Sequence, residues 1–391
     1  MKPLSRNLAS AVVIAAALTG ATAVRADDDG FKIQRNTYVV NKLVSDQNGV
    51  ANFQDPVLRN AWGVAFTPGA SPFWIADNAS GCATLYDGTG VKVALQVPIP
   101  LPDNSVPSTA CQPAASAQTN PQPPTPAAPT GLVWNPTTTF LVPGTSTAAS
   151  FIFATEDGTI SAWANGATPT NQAVIAFDNS ASGAVYKGLV FGTNSNGVFL
   201  FATNFHAGTV DVFKPADNTS NGQYIETTTT GGFKDSNIPV GFAPFGIENI
   251  NGDLFVSYAK QNAEMHDDVA GPGNGFVDVF DTNGNLLRRF ASRGPLNSPW
   301  GMTRASFAFG RFSGLILVGN FGNGKINVFS SQGQFIDELD RPNGKPLVID
   351  GLWKLILGGG RNSSSDTLYF TAGPNDETNG LFGTITPASK Q

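Results

Sequence analysis

One short pattern returns six times along this chain: a glycine, then alternating side chains, then a large apolar residue five positions later. It reads GCATLY (81–86), GTISAW (158–163), GTVDVF (208–213), GFVDVF (275–280), GKINVF (324–329) and GLFGTI (380–385). An apolar run precedes each copy, as in FWIAD (73–77), VFLFATN (198–204) and LILVGN (315–320). Earlier still comes a glycine-led run, with glycines at 63, 131, 188, 246, 301 and 351. A fourth run, such as LLRRF (286–290) or QFIDEL (334–339), follows the third. Glycine permits the tight turn, and alternation sends successive side chains to opposite faces of a sheet. Six copies of a four-stranded unit at 50–68-residue steps predict an all-β, six-bladed β-propeller of antiparallel blades. No blade can bury both its faces alone; neighbours must cover them, and a closed ring leaves no open end.

The last copy stops at its third strand. YVVNKLV (38–44) is apolar, β-branched and otherwise unassigned, so it is expected to supply the missing outer strand and lock the N-terminus into the last blade. Residues 27–391 are expected to form one domain, with the proline-rich stretch 98–129 as a surface loop, because proline cannot donate to a central strand.

Residues 1–26 read as a signal peptide. Lys2 and Arg6 precede a short apolar core, Leu8 to Leu18, and small residues end at Ala26. An exported protein, periplasmic or extracellular, is the expectation, and no later stretch is apolar for long enough to span a bilayer. Two cysteines, Cys82 and Cys111, then suggest one disulfide. Closing a loop of about 30 residues, it would contribute roughly 3–4 kcal/mol in the chain-entropy model. With a net charge of −6 and no Lys/Arg cluster, nucleic acid is not an expected partner. A monomer that binds a small molecule, a glycan or a protein fits better.

In a propeller, the loops joining second to third strands share a face with the loops between blades, and both surround the central channel. Here the second-to-third loops are rich in Asx and Gly: Asp77-Asn78, Glu156-Asp157, Asn204 to His206 and Asn320 to Asn323. Asp77, Asn204 and Asn320 each precede their glycine by four residues, the place of a turn cap. His206 occupies that turn in one blade and is a candidate for ligand contact. Two loops exceed what a turn needs. AKQNAEMHDDVAGPGNG (259–275) carries Glu264, His266, Asp267 and Asp268, and AGPNDETNG (372–380) carries Asp376 and Glu377. Their oxygens suit a hard cation such as Ca2+, although a solvated acidic loop has the same composition. Residues just before the inner strands, Asn60, Thr130, Lys187, Pro244, Pro299 and Asp350, place the channel mouth. Asn60, Lys187, Asn204, His206, Asp350, Asp376 and Glu377 are the ligand-binding candidates, and Glu264, His266, Asp267 and Asp268 the metal candidates. With two histidines and no nucleophile elbow, neither a Ser-His-acid triad nor a Cys/His-rich zinc site can be assembled.

The stretches 60–88, 266–287 and 296–333 resemble an exported bacterial propeller family of unassigned function, related to NHL-repeat proteins. That resemblance implies six blades and assigns no site. The architecture is also similar to the calcium-dependent lactonases of the SMP-30 and gluconolactonase group, which place a metal-binding Glu before a Gly-Pro at the first inner strand. Here that stretch is Arg59-Asn60-Ala61-Trp62-Gly63, without a Glu. Peptide-amidating lyase propellers resemble it in fold but use zinc-binding histidines. A binding or interaction module is therefore the leading expectation. A divalent-cation-dependent hydrolase or lactonase is the first alternative, and a structural envelope protein the second.

Overall fold

The computed structural model describes residues 36–114, 124–169, 171–220 and 222–388. The signal segment 1–26 and residues 115–123 of the proline-rich loop lie outside the described residues. Six sheets of antiparallel strands form a six-bladed β-propeller, the first five running from an inner to an outer strand in chain order. Ala61–Ala65, Phe73–Asp77, Cys82–Tyr86 and Lys92–Pro98 make the first blade. The sixth contains Leu352–Leu357, Leu368–Ala372 and Leu381–Pro387. Its outer strand is Tyr38–Ser45, antiparallel to Leu381–Pro387 with Val40 opposite Ile385. The N-terminal strand closes the ring as the repeat requires, and Phe53–Gln54 adds a short parallel fifth strand. Among the described residues no helix is long and apolar enough to cross a membrane.

The six large residues that end the repeat, Tyr86, Trp163, Phe213, Phe280, Phe329 and Ile385, are all buried. Apolar clusters join adjacent blades. Val44, Phe73, Tyr86, Tyr369 and Phe382 pack across the junction of the sixth blade with the first. Tyr38 enters the cluster between the fifth and sixth, stacks on Phe309 at 4.7 Å and donates its hydroxyl to the Phe309 carbonyl at 2.9 Å. Cys82 and Cys111 are disulfide-bonded, and the Cys111 N–H bonds the Ser80 carbonyl, pinning the start of the proline-rich loop beside the first blade.

Around the channel the inner strands meet backbone to backbone. A Cβ at Gly63 would lie 2.3 Å from the Thr130 carbonyl oxygen, and one at Gly131 2.6 Å from the Leu189 nitrogen. The same holds for Gly246 against the Trp300 carbonyl and Gly301 against the Trp353 carbonyl, both at 2.2 Å. Glycine is needed here for space rather than for its torsion angles. This contact also corrects the sequence register of the last blade. Gly301 abuts Trp353, Lys354 and Leu355, so Lys354, not Gly351, holds the position of the inner-strand glycines. The residues just before that position are then Trp62, Thr130, Lys187, Phe245, Trp300 and Trp353. Four of them, with Phe205, form an aromatic plug.

Asn204 and Asn320 are caps, as their spacing predicts. Asn204 accepts from the Ala207 N–H at 3.2 Å and donates to Asp211 at 2.9 Å. Asn320 accepts from the Asn297 N–H at 3.1 Å. Asp77 departs from the pattern: it is wholly buried, and Thr84 alone offers its carboxylate hydrogen bonds, too weak to offset the burial. Burial pushes its carboxyl well above the usual range. A raised folded-state value means that ionising Asp77 costs stability as pH rises above the unfolded value. Replacing it with the amide used in the third and fifth blades (Asp77→Asn) should therefore stabilise the fold by about 1–3 kcal/mol at pH 7, with the gain vanishing below about pH 4. Denaturant melts at the two pH values check this, and a loss of stability at pH 7 would contradict it.

Candidate functional site

The plug ends in a charged residue. Trp62 and Trp353 stack at 3.5 Å, Phe321 stacks on Trp353 at 3.9 Å, and the Lys187 ammonium lies 5.3 Å from the Trp62 ring centre and 5.8 Å from that of Phe205. Lys187 is 1% exposed. A buried ammonium survives only with close counter-charges. Lys187 donates to Glu156 and lies 3.5 Å from Asp267. Burial works most strongly against its charge, but Glu156, Asp267 and Glu377 together outweigh that and hold the ammonium above its ordinary range.

A hydrogen-bonded arc extends from this centre. The Asn78 amide donates to the second Glu156 oxygen at 2.8 Å, and the Asn60 amide donates to Asn78 at 3.1 Å and to Glu377 at 2.7 Å. The Trp353 indole N–H donates to the Asn60 oxygen at 2.9 Å, which turns the Asn60 NH2 toward the mouth. At the other end, His266 and Asp267 share a bond of 2.8 Å. That bond raises the His266 value and lowers that of Asp267. The arc takes residues from the sixth, first, second, third and fourth blades, all through second-to-third loops, inter-blade loops or starts of inner strands.

Glu377 reaches the mouth from a strained turn. Asn375, Asp376 and Glu377 have φ of 56°, 50° and 62°, and the Glu377 N–H bonds the Gly373 carbonyl, one left-handed turn. Each such residue costs about 1–2 kcal/mol. The turn is held from outside: Asp350 accepts from the Asn375 N–H at 2.9 Å, and Asp46 accepts from Asn379 at 2.8 Å and from the Gly380 N–H at 2.9 Å. Burial, then the charge of Glu156, pushes the Glu377 carboxyl up to about 7. Burial also raises Asp268.

Of the residues singled out from sequence, Asn60, Lys187, His266, Asp267 and Glu377 come together. Asp268 belongs to the same charged neighbourhood, since its charge helps to raise the Glu377 carboxyl. Asp350 anchors a loop, Asn204 caps a turn, His206 lies over Gly183, and Glu264 and Asp376 are exposed outside the arc. Glu156, Asn78 and Trp353 were not candidates. Their only signal was position: Asn78 and Glu156 follow second strands at the turns, where turn-forming residues look the same.

Glu156, His266 and Asp267 offer donor atoms within 4.8 Å of one another, a possible metal triad. The fit to a divalent ion is poor. Lys187 already contacts two of the three, and Asn60 presents its NH2 rather than its oxygen to the mouth.

No protein-family model matches the chain. It is 30% identical over 355 residues to the uncharacterized protein L690 of Acanthamoeba polyphaga mimivirus, covering 89% of this chain and 86% of that one. Among solved structures it is similar to a luciferin-regenerating enzyme (12% identity, TM-score 0.48, 89% of this chain and 95% of that one). It is also similar to a Xanthomonas campestris gluconolactonase (12% identity, TM-score 0.44, 85% and 88%). At these values neither likeness bears on activity.

Because the folded Glu377 carboxyl binds its proton more tightly than an ordinary one, its ionisation costs stability as pH rises from about 4.5 through 7. Glu377→Gln should therefore gain on the parent chain between pH 5 and pH 8, by about 2 kcal/mol at the upper end. Lys187→Met should instead lose about 3–5 kcal/mol at neutral pH, because it leaves buried carboxylate unpaired. Denaturant melts across the pH range check both. A pH-independent Glu377→Gln difference would contradict the first, and an unchanged Lys187→Met melt the second.

Proposed function

This chain belongs to the family of the mimivirus protein L690, and from that premise we propose that it is a binding propeller whose ligand, a small molecule or the end of a glycan, seats at the polar mouth of the central channel. The observation that carries this reading is the arc from Trp353 to His266. A ring that needed only to close could continue its apolar plug to the surface. Instead, five blades place a buried lysine, carboxylates and oriented amides at one end, at a cost in desolvation and backbone strain. Such groups on a rigid frame are how a site fixes the orientation of a ligand. An exported setting accords with the residue pattern of 1–26 and with the disulfide between Cys82 and Cys111.

One observation favours a second reading, a divalent-cation-dependent hydrolase: the Glu156, His266 and Asp267 donors lie close enough to share an ion such as Ca2+. The ammonium among them is the argument for ranking it second, since an entering ion meets a like charge in low-dielectric surroundings.

Tryptophan emission reports on the mouth, because Trp62, Trp300 and Trp353 lie in the plug beneath it. A panel of mono- and disaccharides, amines and carboxylic acids should contain compounds that shift this emission, with the response lost in Asn78→Ala and Asp267→Asn. Binders indifferent to both substitutions would contradict the site. Stoichiometric calcium together with chelator-sensitive ester or lactone turnover would promote the second reading over the first.

A further inference from the structure

Away from the mouth, two aspartates share one arginine on the flank of the fourth blade. Arg289 donates from Nε to Asp278 and from Nη2 to Asp235, and its guanidinium lies 5.1 Å from the centre of the Phe276 ring. The acid side chains are almost wholly buried, Asp278 0% and Asp235 3% exposed. Among the described residues Arg289 is the one cation in ion-pair contact with either. If both acids ionise, the group carries an uncompensated buried charge, which is expensive. Hydrogen bonding points the same way. The Oδ2 atom of Asp278 is sealed from solvent with no N–H or O–H donor, and the Asp235 carboxyl, an acceptor like itself, lies in hydrogen-bonding contact with Asp278. A proton between them reconciles two such acceptors. Asp211, at the same repeat position in the third blade, has no such need: it takes donors from Asn204, Thr209 and the Tyr186 hydroxyl at 2.9, 2.7 and 3.1 Å. Tyr258 is near enough to Asp278 to feel its charge but makes no hydrogen bond to it.

We propose that Asp278, Asp235 and Arg289 form a one-proton latch: a proton held between the two carboxyls fastens segment 234–241, which leads from the third blade into the fourth, and its release to solvent loosens that segment. The segment hangs on Asp235, which accepts from the Asn237 N–H at 2.7 Å and the Ile238 N–H at 3.2 Å. It ends at Gly241, whose carbonyl receives the Gln261 N–H at 2.8 Å. Gln261 opens the loop of His266 and Asp267 and bridges to Asp268, so the latch bears on a support of the mouth, whatever the mouth binds. Burial pushes the Asp278 carboxyl up to about 6 against the pull of Arg289, and the Asp235 charge adds to the rise. Burial acts on Asp235 too, but the Asn237 N–H and Arg289 outweigh it and hold that carboxyl below the usual range, so the proton rests on Asp278 and is donated to Asp235. The folded Asp278 keeps its proton where an open segment would lose it, so opening becomes easier as pH rises from about 4 through 6 and levels off above. Arg293 also lies over Phe276, at 5.2 Å. Guanidinium groups and phenols do not titrate in that range, which leaves the two aspartates as the groups that change.

NMR of protein labelled with 13C-aspartate, assigned through Asp235→Asn and Asp278→Asn, reads the proton. Amide hydrogen exchange, corrected for intrinsic rates, reads the segment. The Asp278 carboxyl carbon should titrate near pH 6, with the Asp235 carbon moving in step. Between pH 4.5 and pH 7.5 the protection of the Asn237, Ile238 and Gln261 amides should fall about tenfold or more, while amides of Ile326–Phe329 in the fifth blade do not follow. In Asp278→Asn the new amide can donate to Asp235 at every pH, so that protection should no longer depend on pH. Asp235→Asn, which leaves one carboxylate to one guanidinium, should flatten the profile as well. Aspartates that titrate separately below about pH 4.5 would overturn the latch. So would segment protection that ignores pH in the parent protein, or a fall that persists in both variants.

Discussion

Everything in this molecule depends on a contact that only a closed ring can complete: inner strands pressed backbone to backbone around the channel. Gly63, Gly131, Gly246 and Gly301 each lack the atom that would push the next blade away. The contact passes from blade to blade, and the step from the sixth to the first needs both ends of the chain. Thr371 of the sixth blade donates its hydroxyl to the Trp62 carbonyl of the first. The N-terminal strand then pairs with Leu381–Pro387 and buries Tyr38 and Val44 on either side. No single blade is stable on its own terms, so closure is a condition for the others and not an addition to them.

Closure also sets the chemistry of the channel mouth. Asp46 follows directly on the closing strand, and its carboxylate holds Asn379 and Gly380. Those residues end the left-handed turn that presents Glu377. Strain of this kind persists only where surrounding structure over-determines it, and here the constraint comes from Asp46 on one side and Asp350 on the other. The plug contributes from beneath, where the Trp353 N–H decides which face of the Asn60 amide the acids see. Mechanical closure and site geometry thus share residues.

Periodicity made the architecture legible, because a two-residue alternation between glycine turns states which side chains go inward. The closing strand was legible for the same reason: a six-fold pattern one strand short, with an unassigned apolar run at the other end. The register of the last blade was not. Lys354 stands where the other inner strands carry glycine, and the nearby Gly351, which fits the glycine spacing, belongs to the turn before the strand. Asp77 looked like Asn204 in spacing, but a carboxylate cannot donate as the Asn204 amide does to Asp211. The site was half legible. Lys187, His266, Asp267 and Glu377 stand out as charges in long loops or at the channel. Glu156 and Asn78 look like any turn residues until Asn60, 317 positions from Glu377, connects them. Partnerships at that separation leave no local pattern.

The central claim is that the N-terminal strand completes the ring, and complementation tests it most directly. A chain lacking residues 36–54 is melted alone and then with a synthetic peptide of those residues. The truncated chain should melt about 10 °C or more below the intact one, with faster amide exchange in 381–387, and the peptide should restore both. A truncated chain that keeps the midpoint and exchange pattern of the intact protein without the peptide would contradict it.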